Sequence, residues 1–410
     1  GMVFAERMME TIALRTGRDA LDVRKRNFYT RHRDTTPYGQ QVTDNILPEI
    51  VGELERTSDY RTRRERINAY NAASRVLKKG LSLTPVKFGI SFTLTHLNQA
   101  GALVLAYTDG SVQLNHGGTE MGQGLYTKVA QVVAETFGIG LDKIRICATS
   151  TGKVPNTSPT AASSGTDLNG MAAKRAAEEI RDTISNLLAR DWRIPKAKLV
   201  FRDGKVTGGT KSITFAEACS RAHQARLPLS ATGYYATPEI HWDRAKATGR
   251  PFLYFAYGAS CSEVTIDTMT GEMRVDRVDI LHDVGKSLNP AIDMGQVEGA
   301  FVQGMGWLTT EELVFDDKGR LRTHAPSTYK IPCASDLPEE FNVALYESKG
   351  NKEDTIYRSK AVGEPPLMLG ISVWTAIFNA VASLGGNAIP ALDTPATPEA
   401  ILHAIKSVRA

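Results

Sequence analysis

The chain has 410 residues, 42% hydrophobic and 23% charged, with a formal net charge of +4, a balance that allows a large buried core and argues against disordered classes. So small an excess of charge gives no footing for nucleic-acid binding, and the densest basic stretch, Arg61-Thr-Arg-Arg-Glu-Arg66, reads as a solvated helix face. Four cysteines without a CxxC pair argue against a zinc or iron–sulfur site within the chain; with no signal peptide and no membrane-length apolar run, the expected setting is the reducing cytoplasm, off the membrane.

The chain opens on Gly1-Met-Val-Phe-Ala-Glu-Arg-Met-Met-Glu10, already in helical pattern, as expected of a piece cut from a longer chain. Met8, Ile12 and Leu14 predict a helix over 3–16 that stops at Gly17. Residues 31–43 read as an exposed connection, and 46–78 as two more helices parted near Thr57-Ser58-Asp59. From Thr84 the pattern changes: 102–107 and 111–115 predict a hairpin around Thr108-Asp109-Gly110. A helix follows Gly124 with Val129, Val132, Val133 and Phe137 on one face, then a strand over 144–148. An alanine-rich helix over 169–190 takes Asp167 as its N-cap. Strands over 253–267 and 272–280 flank the turn Thr268-Met-Thr-Gly271, and 291–309 and 366–383 predict helices. Strand pairs alternating with helices predict a mixed α+β fold, with short, partly antiparallel sheets packed against helices.

Three loops carry candidate chemistry. His116-Gly-Gly-Thr-Glu-Met-Gly-Gln-Gly124 stands between a strand and a helix, where free N–H groups can meet an anion and the Gln123 amide can donate. The bland alternative is a tight turn. Pro155-Asn-Thr-Ser-Pro-Thr-Ala-Ala-Ser-Ser-Gly-Thr-Asp167 can present successive backbone amides to an anion, or be a polar surface loop. Ala361-Val-Gly-Glu-Pro-Pro-Leu367 sets Glu364 on a stiff, non-helical backbone; its ordinary role would be a charge at a helix start.

Together with Lys87-Phe-Gly-Ile-Ser-Phe-Thr93, Leu97-Asn-Gln-Ala-Gly-Ala-Leu103, Ser287-Leu-Asn-Pro-Ala-Ile-Asp293, Gln296-Val-Glu-Gly-Ala-Phe-Val-Gln-Gly304 and Pro326-Ser-Thr-Tyr-Lys-Ile-Pro332, these loops resemble, in order, the molybdopterin-binding part of xanthine dehydrogenases of the bacterial type. The resemblance implies a molybdenum held by a pterin dithiolene, with no direct metal ligand from the chain. It implies oxidative hydroxylation of purines, hypoxanthine and xanthine to urate, with Glu364 as the base. Cofactor contacts carry over to Met121, Gly122, Gln123, Ala162, Ser163, Ser164, Gly165 and Gln296, and substrate contacts to Phe92, by stacking, and Thr93. It divides the chain into a helical lead-in (1–83), a first cofactor-binding subdomain with the substrate strand and pterin loops (84–240), and a second with the catalytic glutamate loop (241–410).

Other parts of the family's pattern are missing: the upstream Gly-Gly-Phe-Gly-Gly-Lys loop, the substrate-anchoring glutamate and arginine, and the Arg-Gly-Phe-Gly segment. The chain alone is therefore expected to be incomplete and inactive. Its implied partners are the purine, the missing N-terminal half of the molybdenum domain, and segments or subunits carrying FAD and 2Fe-2S clusters, in an oligomer. Faces meant for the missing half should leave an apolar surface near Gln123 and Ser163. His96 is a candidate channel residue, and His282 beside Asp283 lacks a second histidine at ligand spacing. The rival readings are an aldehyde oxidoreductase of the same superfamily and a non-catalytic fragment that binds no cofactor by itself.

Overall fold

The computed structural model describes residues 1–154, 157–161 and 163–409, and its two larger sheets are assembled from strands distant in sequence. In the first, Leu77–Ile90 pairs antiparallel with Tyr254–Asp267, which pairs antiparallel with Met273–His282; Glu340–Leu345 joins that last strand in parallel. In the second, Gln99–Ala106 lies antiparallel between Val112–His116 and Ser230–Ala236, and Ile144–Ile146 runs parallel to Val112–His116 at the edge. The mixed α+β architecture, with partly antiparallel sheets, is as expected.

Both faces of the first sheet are covered, and the period of two along its strands decides which residue meets which cover. Phe255, Tyr257, Ala259 and Cys261, with Leu81 and Leu83, meet Ile50, Val51, Leu54 and Ile67 of the helices Leu47–Thr57 and Tyr60–Ala73. Val264 and Ile266 point the other way, into a core built by the helices Pro290–Thr309, Ile371–Ala382 and Pro398–Arg409. Two pairs of hydroxyls buried on that face bond to each other: Ser262 and Ser372 lie 2.7 Å apart, and Thr375 donates to Ser82 at 2.8 Å, whereas the Thr84 hydroxyl has no partner among the described residues. The second sheet packs against the helices Leu125–Phe137 and Gly165–Trp192. Ala172, Ala173, Ala176 and Ala177 keep the latter helix close to its sheet.

Several expectations need correction. The second of the two helices expected over 46–78 ends at Ala73, and the residues expected to extend it turn into the strand Leu77–Ile90, which runs through residue 84. The connection 31–43 is partly buried, at Thr36, Gln40 and Val42, because the Gln40 amide donates to the Phe252 carbonyl at 2.7 Å. Asp167 is not an N-cap: Ser164 holds that position, and Asp167 is buried in the first turn. Residues 366–383 divide into a 3₁₀ segment, Pro365–Gly370, and the helix Ile371–Ala382. Against expectation, Pro365–Ala382 is apolar and long enough, at 18 residues, to cross a membrane, but most of it is buried against the first sheet. The three-stranded sheet Val200–Arg202, Lys205–Gly208 and Lys211–Thr214 and the helices Ala20–Arg26 and Phe215–Gln224 had no sequence-based expectation.

Candidate functional site

A cleft of about 330 Å³ lies where the starts of the helices Leu125–Phe137, Gly165–Trp192 and Pro290–Thr309 meet the segment 359–364. It brings Met121, Gln123, Ser163, Gly165, Gln296 and Glu364 together, six of the residues expected at a site. Gly122 and Ser164 belong to the same loops but do not line it. Ala162, like Pro155 and Asn156 of the same loop, lies outside the described residues.

The Glu364 segment has no regular structure, and individual bonds fix it. Ser359 bridges Gly285, and the Lys360 N–H donates to the Val284 carbonyl at 2.8 Å. The Lys360 ammonium, almost wholly buried, pairs with Asp283 at 2.6 Å. The Ala361 N–H donates to the Tyr254 hydroxyl at 2.9 Å, and that hydroxyl donates to the Asp167 carboxylate at 2.7 Å. At Glu364 itself, the backbone N–H donates to Ser163 Oγ at 2.7 Å, and Ser163 Oγ donates to Glu364 Oε2 at 2.8 Å. Ser163 does this from a left-handed backbone, φ +55°, a strained conformation for a side-chain-bearing residue.

The two loops expected to receive an anion differ. At the start of Leu125–Phe137, Glu120 already fills the role: its carboxylate accepts from the N–H groups of Gly122, Gly124 and Tyr126 at 2.9–3.0 Å. These bonds hold the Glu120 carboxyl below its ordinary range against the opposing effect of burial. Gln123 folds onto the same loop, its amide nitrogen donating to the Thr119 carbonyl at 2.9 Å. The start of Gly165–Trp192 has no side-chain cap among the described residues, so its first amides face the cleft without one.

Charged residues to which the motifs gave no role at a site line the same cleft. Lys128 forms a buried ion pair with Asp293, which also accepts from Ser287 Oγ at 2.5 Å. Lys128 breaks the apolar stripe Leu125, Val129, Val132, and that break was the available signal. Burial pushes the Asp167 carboxyl up to about 7, against the lowering effects of the Tyr254 hydroxyl and Lys128.

Phe92 and Thr93 are not in the cleft: Asn98 ties the Phe92 backbone in a tight turn, accepting from its N–H at 2.7 Å and donating to its carbonyl at 2.9 Å. His96 is exposed and away from the cleft. Burial holds His282 near pKa 4, and both its ring nitrogens lack partners among the described residues. Among the described residues of the loops that hold Gln123 and Ser163, the large exposed apolar side chain is Met121; Trp307, Leu313, Phe315 and Ile331 are also exposed.

The family model described as the molybdopterin cofactor-binding domain matches residues 53–338. The protein named xanthine dehydrogenase/oxidase from Rattus norvegicus is 46% identical over 410 aligned residues, covering 98% of this chain and 29% of the rat protein. The quinoline 2-oxidoreductase of Pseudomonas putida 86 superposes with a TM-score of 0.85 at 24% identity, covering 99% of this chain and 52% of that one. The aldehyde oxidoreductase of Desulfovibrio desulfuricans ATCC 27774 superposes at 0.77 with 25% identity, covering 98% and 40%. The chain thus spans under a third of the rat relative's length.

Proposed function

The chain belongs to the molybdopterin cofactor-binding domain family, and from that premise we propose that it forms part of the molybdenum site of a xanthine dehydrogenase, with Glu364 as general base. The carrying observation is that Ser163 fixes Glu364 in the cleft that also presents Gln123 and Gln296.

The donor set fits the implied group. Two amide side chains and an uncapped helix start give neutral donors to an oxygen-rich, anionic pterin without burying a further unpaired charge. When bound, the molybdenum group would supply the centre that oxidises the purine carbon and accepts its two electrons. The chain's own work is with the proton. Ser163 occupies Glu364 Oε2, so Oε1 is the atom left to take the proton from the attacking oxygen. We assign Met121, Gly122, Gln123, Ala162, Ser163, Ser164, Gly165 and Gln296 to the cofactor, and Phe92 and Thr93 to the purine once the rest of the enzyme is in place.

The higher identity to the rat protein supports a purine over an aldehyde as substrate, and the built loop around Glu364 weighs against a purely packing role. The chain spans a fraction of its relatives, so we place FAD, the 2Fe-2S clusters and the remaining cofactor contacts on other segments, with the chain alone inactive; a cytoplasmic, oligomeric enzyme is part of the same proposal. The test is Glu364→Gln in the complete enzyme, which keeps size and removes the base. Reduction by xanthine in a single turnover should slow on the order of 10² to 10⁴-fold, with molybdenum content and melting temperature unchanged. Near-normal reduction at full molybdenum content would remove Glu364 from the mechanism.

A further inference from the structure

We propose that Tyr254 and Asp167 are positioning residues for the base: the Tyr254 hydroxyl, held between the Ala361 N–H and the Asp167 carboxylate, clamps the Glu364 loop to the start of the helix Gly165–Trp192. This rests on the reading of Glu364 as the base.

Ala361 is buried and lies in no helix or strand, so its N–H must find an acceptor outside regular structure. Tyr254 is the first residue of the strand Tyr254–Asp267 and therefore belongs to the first sheet; Asp167 rides on the helix that packs on the second. The clamp thus joins both sheets to the loop at a point three residues before Glu364. Ser163, four residues before Asp167, makes the second attachment at Glu364 itself. A loop pinned at both ends to one helix start cannot swing its carboxylate without breaking one of the two pins.

Direction matters in this relay. Ala361 donates to the tyrosine oxygen and the tyrosine donates to the carboxylate, so each bond polarises the next, most strongly when Asp167 is ionised. Lys128 faces Asp167 from the helix Leu125–Phe137 and Tyr235 from the second sheet, while Lys360, Glu364 and Asp293, the partner of Lys128, line the same cleft. Burial opposes ionisation of Asp167, so the clamp tightens only as pH rises into the neutral range.

Amide hydrogen exchange on the chain reads the clamp directly, independent of turnover. In the wild type the Ala361 amide should be protected although it lies outside regular structure. Corrected for intrinsic exchange, its protection should rise from pH 6 to pH 8, on the order of tenfold or less. Tyr254→Phe should remove that protection, as should Asp167→Leu, while Asp167→Asn, which still accepts the hydroxyl, should keep it and lose the pH dependence. In the complete enzyme Tyr254→Phe should lower kcat roughly tenfold with little change in KM for xanthine. An Ala361 amide that exchanges freely in the wild type overturns the proposal without any variant. So does a Tyr254→Phe enzyme with normal kcat and a raised KM. If Glu364→Gln proved fully active while Ala361 stayed protected, the base assignment would fail and the clamp would stand.

Discussion

Asp167 shows how burial turns a residue expected at a helix cap into one that couples folding to pH. Its carboxyl, ordinarily near 3.8, is pushed up to about 7 because the ionised form loses its water, and the Tyr254 hydroxyl and Lys128 offset this only in part. The folded chain therefore keeps the proton where the unfolded chain releases it. The resulting stability is present in full below about pH 4 and is lost as pH rises through about 7, at most about 4 kcal/mol across that window. Asp167→Asn removes the titration and keeps an acceptor for Tyr254. Urea unfolding at pH 5 and pH 8 should show the variant gaining on the wild type at the higher pH; an equal difference at both would rule out the coupling. Glu364, in contrast, was legible as a candidate from its Gly363 and two-proline neighbours, but its partner Ser163 lies 201 residues away in sequence.

At the scale of elements, close approach of helix to sheet sets where glycine is required. A Cβ at Gly233 would lie 1.9 Å from the Ala172 carbonyl oxygen of the helix Gly165–Trp192, and one at Gly80 would lie 1.8 Å from the Ala376 oxygen of Ile371–Ala382. Both neighbours are backbone atoms in packed helices and cannot step aside cheaply. Gly233→Ala should cost about 1–3 kcal/mol in thermal or urea unfolding. Gly52, inside the helix Leu47–Thr57, has nothing within 4 Å of its would-be Cβ, so Gly52→Ala should stabilise by about 0.5–1 kcal/mol. The same substitution with opposite signs checks the packing; a neutral Gly233→Ala would mean the helix can lift from the sheet. One missed element was readable: Thr214-Phe-Ala-Glu217 is a capping box, and the helix Phe215–Gln224 starts on it with both reciprocal bonds made.

At the scale of the molecule, the cleft exists because two cores are fastened together beside it. Lys128 comes from a helix on the second sheet and Asp293 from a helix on the first, and their ion pair is buried between them. The Asn289 amide adds a donation to Gln131 at 3.2 Å across the same junction. Lys128→Met should cost about 3–5 kcal/mol, because it leaves the Asp293 charge buried without its partner. The double variant Lys128→Met with Asp293→Leu should recover much of that loss, since a buried pair replaced by apolar groups loses no unpaired charge. Urea unfolding of the two singles and the double decides it: fully additive losses would show that the pair is not coupled.

The sequence by itself determined the elements whose cause is local. The hairpin at Thr108-Asp109-Gly110, the helix stop at Gly17 and the apolar stripe of Leu125–Phe137 follow from turn chemistry, glycine's left-handed backbone and helical periodicity, all within a few residues. Resemblance, which compares whole motifs in order, reached further and placed Gln123, Ser163, Gln296 and Glu364 at one site. Only the tertiary structure decided what surrounds them. That Leu77–Ile90 leaves the lead-in helices to pair with Tyr254–Asp267 and that Asp167 meets Tyr254 are outcomes of contacts between distant segments. Burial and partner set the protonation and bonding of a polar residue, and neither is a property of its neighbours in sequence.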